Sequence, residues 1–365
     1  MTGRSTFVRG AVRAAVHADL AVALGSRLAL EHYRQVRERR ARLGESRAGL
    51  YGDIWRSAAA EVGAEIVERS PGEFYLLWAG RSTRVLHQVT ALDDEATLKA
   101  SRDRARLQRA FASAGVPVPE HLDFPVTDPR PAVAFLATGG EPCVVKPGGA
   151  TGAGYGVTCG VRSRRDLVRA CLQAACFADT VLIERQAPGA MYRVLVLDGE
   201  PIAVVRRNPP QLTGDGSSSI QELVAAENRR RLAAGGRLGL SLLRPDLDFL
   251  IALRTAGLNV RSIPPADVRV TVKTSSSDTG PAGNLTVHET LAAELIKEVL
   301  AAVKVTGLTL AGVDIVTTDL RSSMAKAGGA LLEVNAIPGL HHHYLVSDPA
   351  NAQRVAVPIL QRLLQ

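Results

Sequence analysis

The sequence predicts a mixed α/β (α+β) fold, and three observations support this prediction. Segments with helical and strand-like patterns alternate along most of the 365 residues. A short apolar run at 143–145 leads directly into a loop with five closely spaced glycines. Near the C-terminus, polar and apolar residues alternate at 332–336 with the period of a strand. With 46% hydrophobic residues, the chain can build sizeable cores without a disulfide framework.

We expect residues 1 to about 50 to form helices that pack on the core or on a second subunit. Their arginine-rich, acid-poor start resembles a transit peptide, but it continues into a long charged helix instead of a cleavage site. The apolar run at 20–24 is too short to cross a membrane. The segment 51–69 is expected to form a helix that can end in a strand, followed by strands at 74–80 and 83–89.

The remaining elements follow from hydrophobic periodicity and turn signals. Three serines in the turn TGDGSSSI can cap a helix that begins near Ile220. Helices are predicted over 96–114, from 133 onward, and over 164–178, 220–262 and 290–306. Strands are predicted at 143–145, 157–160, 181–184, 193–197 and 201–206.

Lys146 is the first candidate functional residue. Only six of the 44 basic residues are lysines, and Lys146 is the only lysine between Lys99 and Lys273, so this sequence uses arginine for a generic positive charge. Glycines let backbone amides approach a phosphate closely, and a lysine adds a compact charge. The loop after Lys146 therefore predicts a phosphate cradle, while a glycine-rich hairpin between two strands is the alternative.

A second cluster lies in AGVDIVTTDL and ALLEVNAIPGL. Asp314 falls within an apolar strand, and Glu333 and Asn335 project from the same face of another. Paired in a hairpin, these strands bring two carboxylates and an amide oxygen together, which suits Mg²⁺ shared with substrate phosphates. The alternative is a structural ion pair between a buried acid and an arginine.

Charge and composition limit the other classes of function. The net charge is +8, but the densest arginine runs, 34–47 and 229–237, lack interleaved aromatic residues. A solvated basic face, or a site for anionic nucleotide and carboxylate, is favoured over a nucleic-acid groove. The four cysteines show no C-x-x-C spacing, which is typical of reduced cysteines in a cytoplasmic protein. Three adjacent histidines, 341–343, cannot all face one metal ion from a strand.

In their joint order, these clusters resemble the ATP-grasp ligases, and most of all the ATP-grasp domain of the cyanophycin synthetases. The resemblance runs from about Leu98 to the C-terminus. Its pieces are AGVPVPEHL, VVKPGGATGAGYGV, VLIERQAPGAMYRVLVLDGEPIAVVRR, TGDGSSSIQELVAAEN, AGVDIVTTDL and LEVNAIPGLHHH. It implies an ATP-grasp fold, in which two α+β subdomains grip ATP. The expected division is an N-terminal helical and α/β domain at 1–97, a central subdomain at 98–188, and a C-terminal subdomain at 189–365 with a helical insertion at about 220–262.

The resemblance also implies roles for individual residues. Residues that match ATP contacts are Arg104, Lys146, Gly152, Gly154, Gly156, Glu184, which accepts from the adenine amino group, and Ala187 in the hinge. Residues that match groups near the transferred phosphoryl group or the acceptor carboxylate are Arg193 and Arg207, acting with Lys146. Residues that match magnesium ligands are Asp314, Glu333 and Asn335. Two Mg²⁺ ions, which Mn²⁺ can replace, are expected.

Three departures from the family pattern bear on function. Arg104 replaces a lysine, which keeps the charge but changes its geometry. Met191 stands where an acid binds the ribose hydroxyls, and VKTSSSDTGPAGN replaces a stretch richer in Asn and Gly near the substrate. The substrate is therefore less defined than the reaction.

The reaction implied is ATP-dependent amide or peptide bond formation between an amino acid or small carboxylate and an amine, through an acylphosphate, in specialised metabolism. The chain ends without the Mur-type domain that follows in cyanophycin synthetases, so a single condensation is expected. The alternatives are a phosphotransferase, a ligase with a thiol or carrier-protein acceptor, and a noncatalytic nucleotide-binding module. The expected partners are small molecules and a second subunit in a homodimer, with neither a specific nucleic acid nor a membrane.

Overall fold

The structure is a computed structural model of the 365-residue chain, and it describes residues 11–16, 18–19, 47–149, 151, 154–234, 242–277 and 279–365. Most of the N-terminal segment that was predicted to be helical lies outside these residues, as does Gly152. Within the described part, residues 11–16 are helical.

The first complete unit is a helix packed on a small antiparallel sheet. Residues 47–62 form the helix. The sheet has the order β1-β2-β3, with β1 at Glu65–Ser70, β2 at Glu73–Trp78 and β3 at Arg81–Leu86. Alternate side chains of β2 face the helix, where Phe74 and Leu76 are fully buried. The two strands predicted at 74–80 and 83–89 are confirmed, while the segment predicted at 51–69 is helical only to residue 62 and ends in β1.

A second antiparallel sheet carries the glycine-rich loop. Its strands are β4 at His121–Pro125, β5 at Cys143–Pro147, β6 at Thr158–Val161 and β7 at Thr180–Arg185, in the order β4-β7-β5-β6. Helices at Arg130–Ala137 and Arg164–Ala175 pack on it. Ser163 begins the second of these helices by accepting a hydrogen bond from the Asp166 amide.

A third sheet carries the acidic cluster. The remaining strands are β8 at Ala190–Leu197, β9 at Glu200–Arg207, β10 at Gln211–Thr213, β11 at Arg269–Thr271, β12 at Asn284–Thr286, β13 at Leu310–Thr317 and β14 at Ala330–Asn335. Five of them form a sheet in the order β12-β9-β8-β13-β14, while β10 pairs with β11. The helix Ala293–Thr306 buries its apolar face in the core formed with the five-stranded sheet, and it ends at Gly307 with a φ of 71°.

In the described part of the segment between β10 and β11, the chain forms two helices. Ile220–Ala233 starts with a capping box of Ser219 and Glu222, as the serine-rich turn predicted. Leu247–Thr255 follows, so the prediction of a largely helical 220–262 segment is correct for these two parts.

Two predicted elements differ from the structure. The helix expected over 96–114 is two helices, Glu95–Ala100 and Arg104–Ser113, because Asp103 accepts a hydrogen bond from the Arg106 amide and starts a new helix. The histidine run, treated in the sequence as a strand, lies in the short helix His341–Tyr344. The last helix is Ala356–Leu363.

Among the described residues, no helix is long and apolar enough to cross a bilayer. All four cysteines are free and buried. Burial raises the pKa of each thiol, which disfavours the reactive thiolate. The cysteines therefore behave as packing residues, in agreement with the sequence.

Candidate active site

Lys146 and Glu184 form a buried ion pair on one face of the second sheet. Val144 of β5 lies opposite Glu184 of β7. Lys146 is two residues after Val144 and therefore projects from the same face of β5, next to Glu184. Lys146 Nζ lies 2.7 Å from Glu184 Oε2, and the two side chains are 8% and 3% exposed. Gln108 Nε2 donates a weaker hydrogen bond of 3.4 Å to the same oxygen. The predicted phosphate-binding lysine and the predicted adenine-binding acid are thus in direct contact.

The glycine-rich loop connects β5 to β6 beside this pair. Gly154 has a φ of 64°, and a Cβ at this position would overlap the side chain of Ser277. Gly156 has a φ of 79°, and its Cβ would meet Phe177 and Pro147 at 2.8 Å. Both positions therefore require glycine for conformation and for space. At Gly154 the loop contacts Ser277, the last residue of the serine-rich segment 274–277.

Arg104 joins the two predicted clusters. It is the first residue of the helix Arg104–Ser113, and its Nε donates to Glu333 Oε2 at 3.1 Å while Nη2 makes a second hydrogen bond to the same oxygen. Its Nη1 is buried without a hydrogen-bond partner among the described residues. Burial lowers the pKa of Arg104, but the charge of Glu333, followed by those of Glu184 and Asp314, raises it overall. Arg104 therefore stays charged and has one donor available.

The predicted metal-binding residues meet across the β13–β14 pair. Asp314 lies opposite Glu333, and Gly312 lies opposite Asn335, in antiparallel register. Asn335 Nδ2 lies 3.2 Å from Asp314 Oδ2. The hairpin geometry expected from the alternating pattern is thus confirmed, and it brings both carboxylates and the amide to one place.

Asp314 is also the partner of Arg193. These residues are directly opposite on β13 and β8, and Arg193 donates from Nε and Nη2 to the two carboxylate oxygens. Burial raises the pKa of Asp314 despite the opposing charge of Arg193. Burial also raises the pKa of Glu333, but the charges of Arg104 and Arg193 outweigh it and hold that pKa at about 2. The ion pair left open by the sequence is present, and the role of Asp314 as a metal ligand stays a prediction.

Arg207 is a buried cation with a spare donor. It ends β9, its Nη2 donates to the Ser276 carbonyl at 3.1 Å, and its Nε is buried without a hydrogen-bond partner among the described residues. Burial, and then the charge of Arg193, lowers its pKa to about 10. It remains charged near neutral pH, so an anion beside it is stabilised.

The donor set around Glu333 fits a magnesium ion. Among the described residues, neither Glu333 Oε1 nor Asn335 Oδ1 receives a hydrogen bond, so each has a lone pair for a hard cation. Asp314 uses both oxygens on Arg193. No group of three His, Cys, Asp or Glu side chains suited to a metal occurs in the described part of the chain. The site therefore offers few protein ligands, as is usual when magnesium is shared with substrate phosphates.

The connection between the two sheets contains the predicted hinge. Ala187 is partly buried in the short segment between β7 and β8. Met191, where the family pattern has an acid, accepts a hydrogen bond of 2.5 Å at its sulfur from Ser276. Met191 thus contacts the serine-rich segment, and it has no carboxylate that could bind a ribose.

Sequence reasoning missed the partners of Gln108 and Tyr51, as it missed the pairing of Arg104 with Glu333. Gln108 supports Glu184, and the Tyr51 hydroxyl lies 2.9 Å from His341 Nδ1. Both contacts join residues far apart in the chain, so no local spacing indicates them. A polar residue in the apolar face of the helix Arg104–Ser113 is the one signal that was available for Gln108.

Comparison with known proteins extends this description. No family model matches the chain. The chain is 29% identical over 330 residues to a cyanophycin synthetase of Trichormus variabilis, in an alignment that covers 84% of this chain and 36% of the relative. It is 24% identical over 293 residues to the glutathione biosynthesis bifunctional protein of Desulfotalea psychrophila, covering 79% and 37% of the two chains. The chain thus spans about a third of the length of these curated relatives.

A solved structure shows which fold the chain has. The bifunctional glutathione synthetase from Pasteurella multocida superimposes with a TM-score of 0.52 at 22% sequence identity, covering 84% of this chain and 42% of that chain. At this identity the likeness concerns the fold, while the motifs and the sequence relatives carry the family resemblance. The chain is therefore a homologue of the cyanophycin synthetases and has the ATP-grasp fold.

Proposed function

We propose that this protein is an ATP-dependent carboxylate–amine ligase. The observation that carries the proposal is the ion pair of Arg104 with Glu333, which joins the lysine–glutamate pair of one sheet to the carboxylate–amide group of the other. ATP phosphates need cations and a magnesium site within one small space, and the chain offers both there.

The first step is phosphoryl transfer to a substrate carboxylate. A carboxylate oxygen attacks the γ-phosphorus of ATP in line, the bond to the β-phosphate oxygen breaks, and ADP leaves with that electron pair. Lys146 and the free N–H of Arg104 offset charge on the phosphate oxygens, and the glycine-rich loop covers them. The products of this step are ADP and an acylphosphate.

The second step forms the amide. The amine nitrogen attacks the acyl carbon, the tetrahedral adduct collapses, phosphate leaves, and the nitrogen loses a proton. Arg207, with its spare Nε donor, stabilises the negative oxygens in this step. Mg²⁺ held by Glu333 and Asn335, with Asp314 nearby, would neutralise phosphate charge; two ions, replaceable by Mn²⁺, are proposed.

The substrates follow from the same chemistry. An amino acid or other small carboxylate is activated, and an amine accepts the acyl group, in the biosynthesis of a specialised metabolite. The proposal includes neither a specific nucleic acid nor a membrane as partner, and it includes a cytoplasmic location and a homodimeric assembly. We also propose domain boundaries after residues 97 and 188, because the proposed ATP site lies between the second and third sheets.

ADP release with magnesium-ATP, measured across a panel of amino acids and small carboxylates with hydroxylamine present, tests the proposal. Carboxylate-dependent ADP with a hydroxamate product is the expected result, because hydroxylamine traps an acylphosphate. A stable phosphorylated product would instead identify a phosphotransferase, and a thioester formed with a thiol acceptor would identify the other alternative. Absence of ADP with every substrate would overturn the proposal.

A further inference from the structure

A side chain from the helix 47–62 reaches the substrate end of the proposed site. The Tyr51 hydroxyl lies 2.9 Å from His341 Nδ1, although the two residues are 290 positions apart in sequence. Their rings meet edge to face with centroids 6.0 Å apart, and Tyr51 is completely buried. A buried phenol of this kind needs a polar partner, and His341 is that partner.

Tyr51 is fixed from its own side. Trp55, one turn later on the same helix, is also completely buried, and its Nε1 donates to the His87 carbonyl at 2.7 Å. Both aromatic residues belong to the core that includes Phe74 and Leu76 of β2. The phenol is therefore held by packing before any substrate binds.

His341 stands beside the proposed catalytic arginines. It follows β14, the strand with Glu333 and Asn335, and its short helix packs on β9, which ends at Arg207. The rings of His341 and His342 lie 4.0 Å apart, and both residues are partly buried. This pair packs against the third sheet, whereas the Lys146–Glu184 pair belongs to the second sheet, so we assign the histidines to the organic substrate and not to the adenine.

The surroundings define the protonation of His341. Burial, then the charges of Arg47, Arg207 and Arg193, holds the pKa of His341 well below its usual value, so the ring is neutral. Burial raises the pKa of Tyr51 despite the opposing charge of Arg47, so the phenol keeps its proton. The neutral phenol has one proton to donate and the neutral ring has one nitrogen that accepts, so we infer that Tyr51 donates to Nδ1 and that the ring hydrogen of His341 is on Nε2.

We propose that Tyr51 is a positioning residue of the ligase site, which holds His341 with its proton on Nε2 so that His341 donates a hydrogen bond to a substrate carboxylate beside Arg207. The identity of that carboxylate as a ligase substrate rests on the proposed function. The partner is an acceptor group, because His341 would donate from Nε2 and the strand on which its helix packs ends at Arg207, which has a spare N–H donor. The helix 47–62 thereby supplies part of the substrate site.

The kinetic test uses the full chain and compares Y51F with Y75F. Tyr75 is 37% exposed on the outer face of β2, so the same loss of a hydroxyl there should leave kinetics unchanged. In Y51F, we expect the KM for the organic carboxylate to rise by about tenfold, the order of one lost hydrogen bond, while the KM for ATP stays unchanged. In a H341A background, Y51F should have no further effect.

Two His341 variants separate positioning from packing. Glutamine can place its amide N–H near the position of Nε2, whereas asparagine can place its amide near Nδ1. H341Q should therefore retain more affinity for the carboxylate than H341N. Equal loss in both variants, or additive effects of Y51F and H341A, would overturn the proposal.

The tautomer can be measured without activity, by the ring ¹⁵N shifts of histidine-labelled protein, with H341N used to assign the signal. We expect Nε2 to be protonated in the wild type and this preference to be lost in Y51F. An Nδ1-protonated ring in the wild type would overturn the positioning role of Tyr51. If the wild type forms no product from ATP, the proposed function fails, and this measurement still decides the Tyr51–His341 arrangement.

Discussion

Arg193 and Asp314 face each other on neighbouring antiparallel strands and form a two-point ion pair inside the protein, with Nε–Oδ1 at 2.6 Å and Nη2–Oδ2 at 2.5 Å. Their side chains are only 6% and 2% exposed. The family resemblance implies a role toward the substrate for Arg193 and a role toward the metal for Asp314. Their pairing means that a variant of either residue changes the environment of the other.

The first prediction concerns the stability of this pair. R193M removes one partner and leaves a buried carboxylate, so it should lower the free energy of unfolding by about 3–5 kcal/mol. The double variant R193M/D314L removes both charges and should recover most of that loss. Urea unfolding of the wild type and these variants measures the difference. Equal stability of the single and double variants would show that the pairing does not matter for folding.

A second prediction separates stability from activity at Lys146 and Glu184. Because both side chains are buried, K146M should destabilise the protein and also abolish ADP formation, since the phosphate-binding charge is lost. In K146M/E184Q the unpaired carboxylate is gone, so stability should return while ADP formation stays absent. Unfolding curves and ADP release on the same samples decide this. Substantial ADP formation by the double variant would remove Lys146 from the phosphate site.

A third prediction tests Glu333 as a magnesium ligand. In E333Q a neutral amide replaces a carboxylate, so the Mg²⁺ concentration for half-maximal ADP release should rise by about tenfold or more. E298Q is the matched control, because Glu298 accepts a hydrogen bond from the Met324 amide, away from the site. An unchanged magnesium dependence in E333Q would exclude Glu333 as a ligand.

The same residue predicts an acid-dependent loss of stability. Glu333 has a pKa of about 2 in the folded protein against 4.5 as the reference value, mainly because the Arg104 charge outweighs the effect of burial. The folded state therefore binds fewer protons than the unfolded state between these values. This contribution is complete above about pH 4.5 and is lost as the pH falls toward 2. Unfolding free energies of the wild type should fall more steeply over this interval than those of E333Q, and parallel curves would contradict the assignment.

Local patterns predicted much of the fold and part of the site. Alternation of polar and apolar residues was sufficient to predict the Asp314–Glu333 strand pair, because a strand places every second side chain on one face. The scarcity of lysine singled out Lys146, which is buried and paired. The break between Ala100 and Arg104 was missed, because helix periodicity continues across it and the Asp103 cap acts locally.

Long-range contacts could not be predicted from the sequence patterns. The Arg104–Glu333 pair joins residues 229 positions apart, and the Tyr51–His341 contact joins residues 290 apart. Such pairs depend on how sheets are placed against each other, which hydrophobic periodicity does not encode. The histidine run shows the same limit, since its helical geometry depends on the turn after β14 and on packing against β9.

The last prediction concerns the glycine-rich loop. Gly154 has a φ of 64° and lies against Ser277, so alanine there is strained and displaces either the loop or the serine-rich segment. Gly140, which lies before β5 and outside the loop, has nothing within 4 Å of a Cβ and is the matched control. Because the loop is expected to close over ATP, G154A should raise the KM for ATP and lower kcat by about tenfold or more, as misplacement in a site does. G140A should resemble the wild type in both constants. If G154A bound and used ATP as the wild type does, the fit of Gly154 against Ser277 would concern packing alone.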